Sequence, residues 1–184
     1  MFGSSEEVRL SRKDVFEGMR KNFEHGCLQA IAWGFPRGGR PGGRSLQPAI
    51  DAVPHFRAII DRSITTGLTA DGYKLINSQE HVKNGVTTKI LYFAGLHSEA
   101  GHQALIYDSR VRDYLLRRDP VEYRRLTATL SASRLAPTPD QYMLYLAITS
   151  NVAGQAGLSD AASVEMFMFS NPPGRQAPTH AVSI

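Results

Sequence analysis

Two side chains of types suited to covalent chemistry are Lys89 and Asp108, the latter 108 minus 89, or 19, positions later. Lys89 comes after the segment Lys83-Asn84-Gly85-Val86-Thr87-Thr88 and before the apolar run Ile90-Leu91-Tyr92-Phe93-Ala94. A tight turn opening into a helix presents backbone N–H groups without intrahelical partners at the positive end of the helix dipole, which suits a phosphate anion. Gly85 lets that backbone approach closely. Placed in the first helical turn, Lys89 meets a dipole that disfavours its ammonium form, and apolar neighbours add desolvation. Both effects favour the free amine, the form that acts as a nucleophile. Asp108, just ahead of another helix, can be an N-cap, a proton carrier and stabiliser of positive charge, or both. Taken singly, a helical lysine is a solvated charge and an aspartate before a helix is a cap. The chemical reading needs more than either residue alone, and it rests on the hairpin, the spacing and the phrase Thr88 to Gly95 occurring together.

The elements that must position this pair read as helices. Ser11 to His25 has an N-cap at Ser11, Asp14 in the first turn, Val15, Phe16, Met19 and Phe23 at helical spacing, and Gly26 as its stop. Pro48 to Thr65 repeats the period through Ile50, Val53, Phe56, Ile59, Ile60 and Ile64, with Gly67 at its end. Thr69 opens a shorter helix through Tyr73, Leu75 and Ile76, and the turn before Lys89 leads into the next. Ala104 to Tyr107 is a short extended apolar run, and Asp108 starts a helix to Arg118. Asp119-Pro120 starts another, to about Leu135. Thr138-Pro139-Asp140 starts one to Val152, broken at Gly154 and Gly157, and Ser159 or Asp160 caps a last helix through Val164, Phe167 and Phe169. The expected class is all-α: one helical domain over residues 1–184, with a flexible basic loop at 34–47 and a loose tail at 171–184.

Composition agrees with one buried core in 184 residues, 42% of them hydrophobic. Twenty-one Lys and Arg against 17 Asp and Glu give a formal charge of +4, a mild excess that favours a polyanionic partner without demanding one. The single cysteine, Cys27, excludes an internal disulfide and a four-cysteine iron-sulfur loop, so no cofactor is expected and a reducing cytoplasm is the simplest location. No apolar run approaches the roughly 18 residues of a membrane span, and Met1 to Leu10 is too polar for a secretory signal, so a soluble protein with no membrane partner is expected.

The stretch Gly85 to Gly95, followed by Ala104-Leu105-Ile106-Tyr107-Asp108-Ser109-Arg110-Val111-Arg112, resembles the signature of the helix-hairpin-helix DNA glycosylases. In the lysine-bearing members, including the 8-oxoguanine branch, the lysine ends the hairpin and the aspartate follows about twenty positions on. Thr88 to Gly95 is similar to a phrase of small bacterial 8-oxoguanine-glycosylase-like proteins, and Ala162 to Phe169 resembles their closing helix. The likeness covers about residues 50 to 170 and is strongest from Gly85 to Val111. It implies a helix-hairpin-helix glycosylase-like helical fold and a DNA N-glycosylase with lyase activity, acting on DNA that contains a damaged or modified purine, 8-oxoguanine or a relative. Lys89 is then the nucleophile toward the sugar C1′, Asp108 the essential carboxylate, and the target nucleotide is flipped out of the duplex. Two departures stand out: Thr87 replaces the second hairpin glycine and Asn84 the usual proline. No base-pocket residue is transferred, and nothing resembles the extra N-terminal domain of the larger 8-oxoguanine enzymes.

The resemblance also leaves a second class open, a nucleic-acid-binding module that keeps the fold without the chemistry. Short relatives of this kind occur in phage-defence contexts with modified guanines. A solvent-exposed Lys89 distant from Asp108 would favour that class. A purely structural helical domain would make the hairpin and the basic loop coincidences.

Further contacts to DNA are expected from the backbone at Gly85, Val86, Thr87 and Thr88 and from Arg110 and Arg112 beside Asp108. Arg37, Arg40 and Arg44, set among glycines, fit either a wrapped nucleic-acid backbone or a solvated loop. Gly38 to Ser45 mimics a phosphate-binding loop, but arginine stands in place of its lysine, a proline interrupts it, and no strand precedes it. His81, His97 and His102 lack metal-ligand spacing, so no metal is expected. Trp33 could stack on a base but reads first as a core or loop anchor. Tyr142, Met143, Leu146, Phe167 and Phe169 read as core.

Overall fold

Helix α6 (Gly85–Phe93) is buried on every side, each side chain from Val86 to Phe93 included, and most of them are apolar. A helix so largely apolar has to be surrounded. Here α1 (Arg12–Lys21), α2 (Phe23–Gly34) and α5 (Ala70–Asn77) pack on it. The computed structural model describes residues 10–34, 46–79, 82, 85–130 and 136–171. These residues form ten α-helices and one 3-10 turn, with isolated bridges at Leu68 to Ser98 and His97 to Gln103 in place of a sheet. The class is all-α, as the sequence pattern implies.

Where one helix is expected from Ser11 to His25 there are two. Ser11 and Asp14 form a capping box at the start of α1, and Asn22 breaks the chain with extended backbone, φ −153° and ψ 115°. Its side-chain oxygen then accepts from the His25 N–H at 2.8 Å and restarts the helix as α2. Gly26 does not stop a helix. It lies inside α2, and a Cβ there would come within 2.2 Å of the Met19 Cα. The glycine permits α1 and α2 to cross in contact, and Cys27, Ala30 and Ile31 follow it into the core.

The expected helix from Pro48 to Thr65 is also divided, at Ala52, into α3 (Leu46–Asp51) and α4 (Val53–Thr66), with Pro54 tolerated in the first turn of α4. Gly67, at φ 83°, ends α4. Thr69 caps α5 as expected. Gly34, Leu46 and Gln47, at the ends of the expected basic loop, are helical, and residues 35–45 of that stretch lie outside the described part, as do 172–184 of the tail.

Beyond α6 the chain passes through Ala104 to Tyr107, which belong to no helix, and enters α7 (Ser109–Arg118). Of the helix expected from Asp119 to Leu135, residues 119–130 are described, and among them only a 3-10 turn (Val121–Tyr123) and the short α8 (Arg124–Thr127) form. There the Thr129 hydroxyl donates to the Leu126 carbonyl at 2.8 Å, occupying an acceptor the helix would have used. Thr138 and Gln141 cap α9 (Pro139–Gln155), which passes through Gly154 and turns at Gly157, φ 68°. Asp160 accepts from the Ala162 and Ser163 N–H groups and starts α10 (Ala162–Ser170), which packs on α7.

In the segment before α7 the Ala104 N–H donates to the Leu96 carbonyl at 2.8 Å, and beyond that bond the backbone is met by side chains. Tyr142 and Tyr145 of α9 donate to the Leu105 and Ile106 carbonyls at 2.8 and 3.1 Å. Thr88 of α6 accepts from the Tyr107 N–H at 3.0 Å, and its oxygen lies 3.3 Å from the Tyr107 carbonyl. A buried run with free N–H and C=O groups would cost more than these bonds cost to form.

Candidate active site

Thr88 and Tyr107 each immediately precede a residue of the candidate pair, so their hydrogen bonds pin the two backbones together beside Lys89 and Asp108. Lys89 Nζ lies 3.9 Å from Asp108 Oδ2, and the two side chains are only 9% and 15% exposed. At that separation they form an ion pair and not a hydrogen bond. The aspartate divides its oxygens: Oδ1 accepts from the Arg110 and Val111 N–H groups at 2.9 and 3.2 Å as the N-cap of α7, leaving Oδ2 toward the amine. Capping and charge pairing coexist in one residue.

The sequence puts Lys89 in the first turn of its helix. It is instead the fifth residue of α6, at the start of the second turn. The dipole's influence fades within the first turn. Burial is the main reason its amine is held below its ordinary value, opposed by the carboxylates of Asp108 and Glu165 and assisted by the Arg12 charge. Gly85 serves this pair directly: a Cβ there would sit 3.1 Å from the Asp108 Cβ and 3.2 Å from Lys89 Nζ. The glycine leaves the space in which lysine and aspartate meet.

Further side chains form a cluster around the amine. Trp33, at the end of α2, presents its ring with Lys89 Nζ 5.5 Å and the Arg12 guanidinium carbon 5.6 Å from its centroid, both in cation–π range. Phe93 meets the same ring edge-on at 5.7 Å. Arg12, the first residue of α1, is bidentate to Glu165 of α10 at 2.9 and 3.1 Å, and Tyr92 Oη lies 3.3 Å from it. Glu165 is fully buried, and burial raises its pKa against the pull of Arg12. Sequence reasoning missed Arg12 and Glu165. The available signal was Glu165 itself, a charge within the apolar run Ala162 to Phe169, which has to find a partner when that helix is buried.

The other expected contacts fare differently. The side chains of Val86, Thr87 and Thr88 are buried, and the Thr87 hydroxyl lies 3.2 Å from both the Val82 carbonyl and Asn77 Oδ1. Anything bound at this helix start would meet backbone N–H groups and not those side chains. Arg110 is exposed and lies over the Phe169 ring at 4.6 Å. The Arg112 side chain is 13% exposed, binds Asp113 at 2.7 Å, and buries Nη1 without a hydrogen-bond partner. Tyr142 and Leu146 are core, but Phe167 is 56% exposed and packs edge-on against Tyr114. Arg37, Arg40, Arg44, Lys83, Asn84 and His81 lie outside the described residues. No group of three His, Cys, Asp or Glu able to hold a metal occurs among the described residues.

The family model described as "Putative 8-oxoguanine DNA glycosylase OGG-like protein" matches residues 2–169. The chain belongs to this OGG-like family. The match spans Arg12, Trp33, Lys89, Asp108 and Glu165, so every residue of the cluster lies within the OGG-like region. Neither the curated proteins nor the solved structures hold a match to this OGG-like chain.

Proposed function

We propose that this OGG-like protein is a DNA N-glycosylase with an accompanying lyase step, which excises a damaged or modified purine, 8-oxoguanine or a related guanine. The observation that carries this reading is a buried lysine amine 3.9 Å from a carboxylate oxygen that the helix cap leaves free. Lys89 is neither exposed nor distant from Asp108, which weighs against a binding module without chemistry.

The neutral Lys89 amine donates its lone pair to C1′ of the flipped nucleotide while the C1′–N9 bond breaks, and the electron pair leaves with the base, which takes up a proton. Positive charge on the sugar is stabilised by Asp108 Oδ2. The new ammonium loses a proton to Asp108. The C1′–O4′ bond then opens, O4′ takes that proton, and a Schiff base remains between Nζ and C1′. Loss of a C2′ proton and departure of the 3′ phosphate complete the lyase step. Backbone N–H groups at Gly85 and Val86 and the exposed Arg110 hold phosphates of the same strand. Lysine in this buried setting releases its proton more readily than in water, which raises the fraction of nucleophile near neutral pH.

The test is borohydride reduction during incubation with duplex or single-stranded DNA carrying one modified base from a panel that includes 8-oxoguanine. The wild-type chain gives a covalent protein–DNA adduct, and Lys89→Gln gives none while still retarding the same DNA. Absence of an adduct across the whole panel would overturn the proposal.

A further inference from the structure

The Lys89–Asp108 pair does not stand alone in the interior. Glu165 contributes to the field at both members, and Arg12 to that at Lys89. Arg12 and Lys89 also share one aromatic ring. We infer that Arg12 and Glu165 are positioning residues of the reaction centre, a second, partly buried ion pair that fixes Trp33 against the Lys89 amine and sets the field in which that amine gains and loses its proton. The inference rests on the glycosylase reading for its chemistry but not for its geometry.

A purely structural salt bridge between α1 and α10 would be an expensive choice. Desolvating two charges cancels much of their attraction, and an apolar pair of similar volume is often at least as stable. What an apolar pair cannot do is act on a neighbouring amine. The guanidinium is oriented three ways: two hydrogen bonds to Glu165, one to Tyr92 Oη, and contact with the rings of Tyr92 and Trp33. Its position relative to Lys89 is therefore set within narrow bounds.

The charged groups acting on Lys89 come from three elements outside α6. Arg12 reaches it from α1, Asp108 from the start of α7 and Glu165 from α10, while Tyr92 on α6 itself is bound to Arg12. The charged residues of the other two packed helices, Glu24 and His25 on α2 and Asp71 and Lys74 on α5, are exposed. Two cations and two carboxylates thus surround one another. Removing only the Glu165 charge leaves Arg12 uncompensated, so protonation of Lys89 becomes harder. Removing both charges together returns the amine nearly to its original field.

That cycle is the test. In the full chain, acetylation of Lys89 is followed by mass spectrometry as a function of pH, which needs no DNA, and borohydride trapping is followed over the same pH range. Glu165→Gln keeps the shape and a hydrogen-bond acceptor for Arg12. It is expected to move the midpoint of Lys89 labelling, and the acidic limb of trapping, to lower pH by about half a unit or more. The double variant Arg12→Gln with Glu165→Gln is expected to return both toward the wild-type position. Should Glu165→Gln fail to fold, Arg12→Met with Glu165→Met supplies the apolar pair, expected to fold and to label with a midpoint near wild type. A midpoint unmoved by Glu165→Gln overturns the inference, as does a neutral pair displaced as far as the single variant. Labelling shifts without trapping on any DNA support the inference and overturn the glycosylase reading. Trapping without labelling shifts does the reverse.

Discussion

Replacing Thr88 by valine keeps the volume of a fully buried side chain and deletes one oxygen. That oxygen accepts from the Tyr107 N–H at 3.0 Å and lies 3.3 Å from the Tyr107 carbonyl. Tyr107 is itself buried, so its N–H has no water to turn to. Leaving a buried donor unsatisfied costs about 1–3 kcal/mol, and the carbonyl's loss adds to it. We expect Thr88→Val to lose about 2 kcal/mol. With a urea dependence of roughly 2 kcal/mol per molar, the unfolding midpoint falls by about 1 M. Thr88→Ser retains the oxygen and loses a methyl group, at about 1 kcal/mol. The functional effect separates the two more sharply. With the clamp gone, Asp108 is free to drift from Lys89, and misplacement on the scale of 1 Å costs up to about 100-fold in rate. Borohydride trapping is therefore expected to slow by about 10- to 100-fold in Thr88→Val and to stay near wild type in Thr88→Ser, with DNA retardation unchanged in both. If Thr88→Val unfolds within about 0.5 kcal/mol of wild type and traps at the same rate, the clamp does not hold the pair together.

Asp108→Asn keeps an oxygen for the α7 cap and loses the charge, so it should unfold near the wild-type midpoint and give no adduct; Asp108→Ala should give no adduct and also lose about 1 kcal/mol in urea unfolding. Burial lowers the pKa of Lys89, so between that lowered value and the ordinary 10.5 the unfolded chain binds the proton that the native chain has released. Stability from this site therefore rises with pH across the window. Lys89→Met should be more stable than wild type at neutral pH, with the advantage shrinking as pH climbs toward 10.5, measured by urea unfolding at a series of pH values. Cys27 is fully buried and its thiol is pushed up to about 12, so the native protein should resist iodoacetamide at pH near 8 and react once unfolded; prompt labelling of the folded chain would refute that placement.

The helical class, the Thr69, Asp108, Thr138 and Asp160 caps, and the partnership of Lys89 with Asp108 could all be read from residues, because each depends on local chemistry within a few positions. The failures share a different origin. Gly26 reads as a helix stop to any local rule, and only the crossing of α1 over α2 reveals it as a contact point. Asn22 breaks a helix that periodicity alone would continue, because its side chain caps the next one. Arg112 differs from Arg110 by half a turn or so of α7, enough to turn one side chain inward to Asp113 and leave the other exposed over Phe169. Arg12 and Glu165 are 153 positions apart, a pairing for which spacing offers no guide. The lone charge in an apolar closing helix was the one trace of it.

Trp33 gives this centre a consequence of another kind. It is the chain's sole tryptophan, and it lies with two cations against its ring at the point where lysine and aspartate meet. Indole emission excited at the red edge of its absorption band therefore comes from one place. Any event that moves the lysine, changes its charge or brings a nucleobase alongside is written into that light without a label. The protein carries its own optical reporter of the cluster around Lys89.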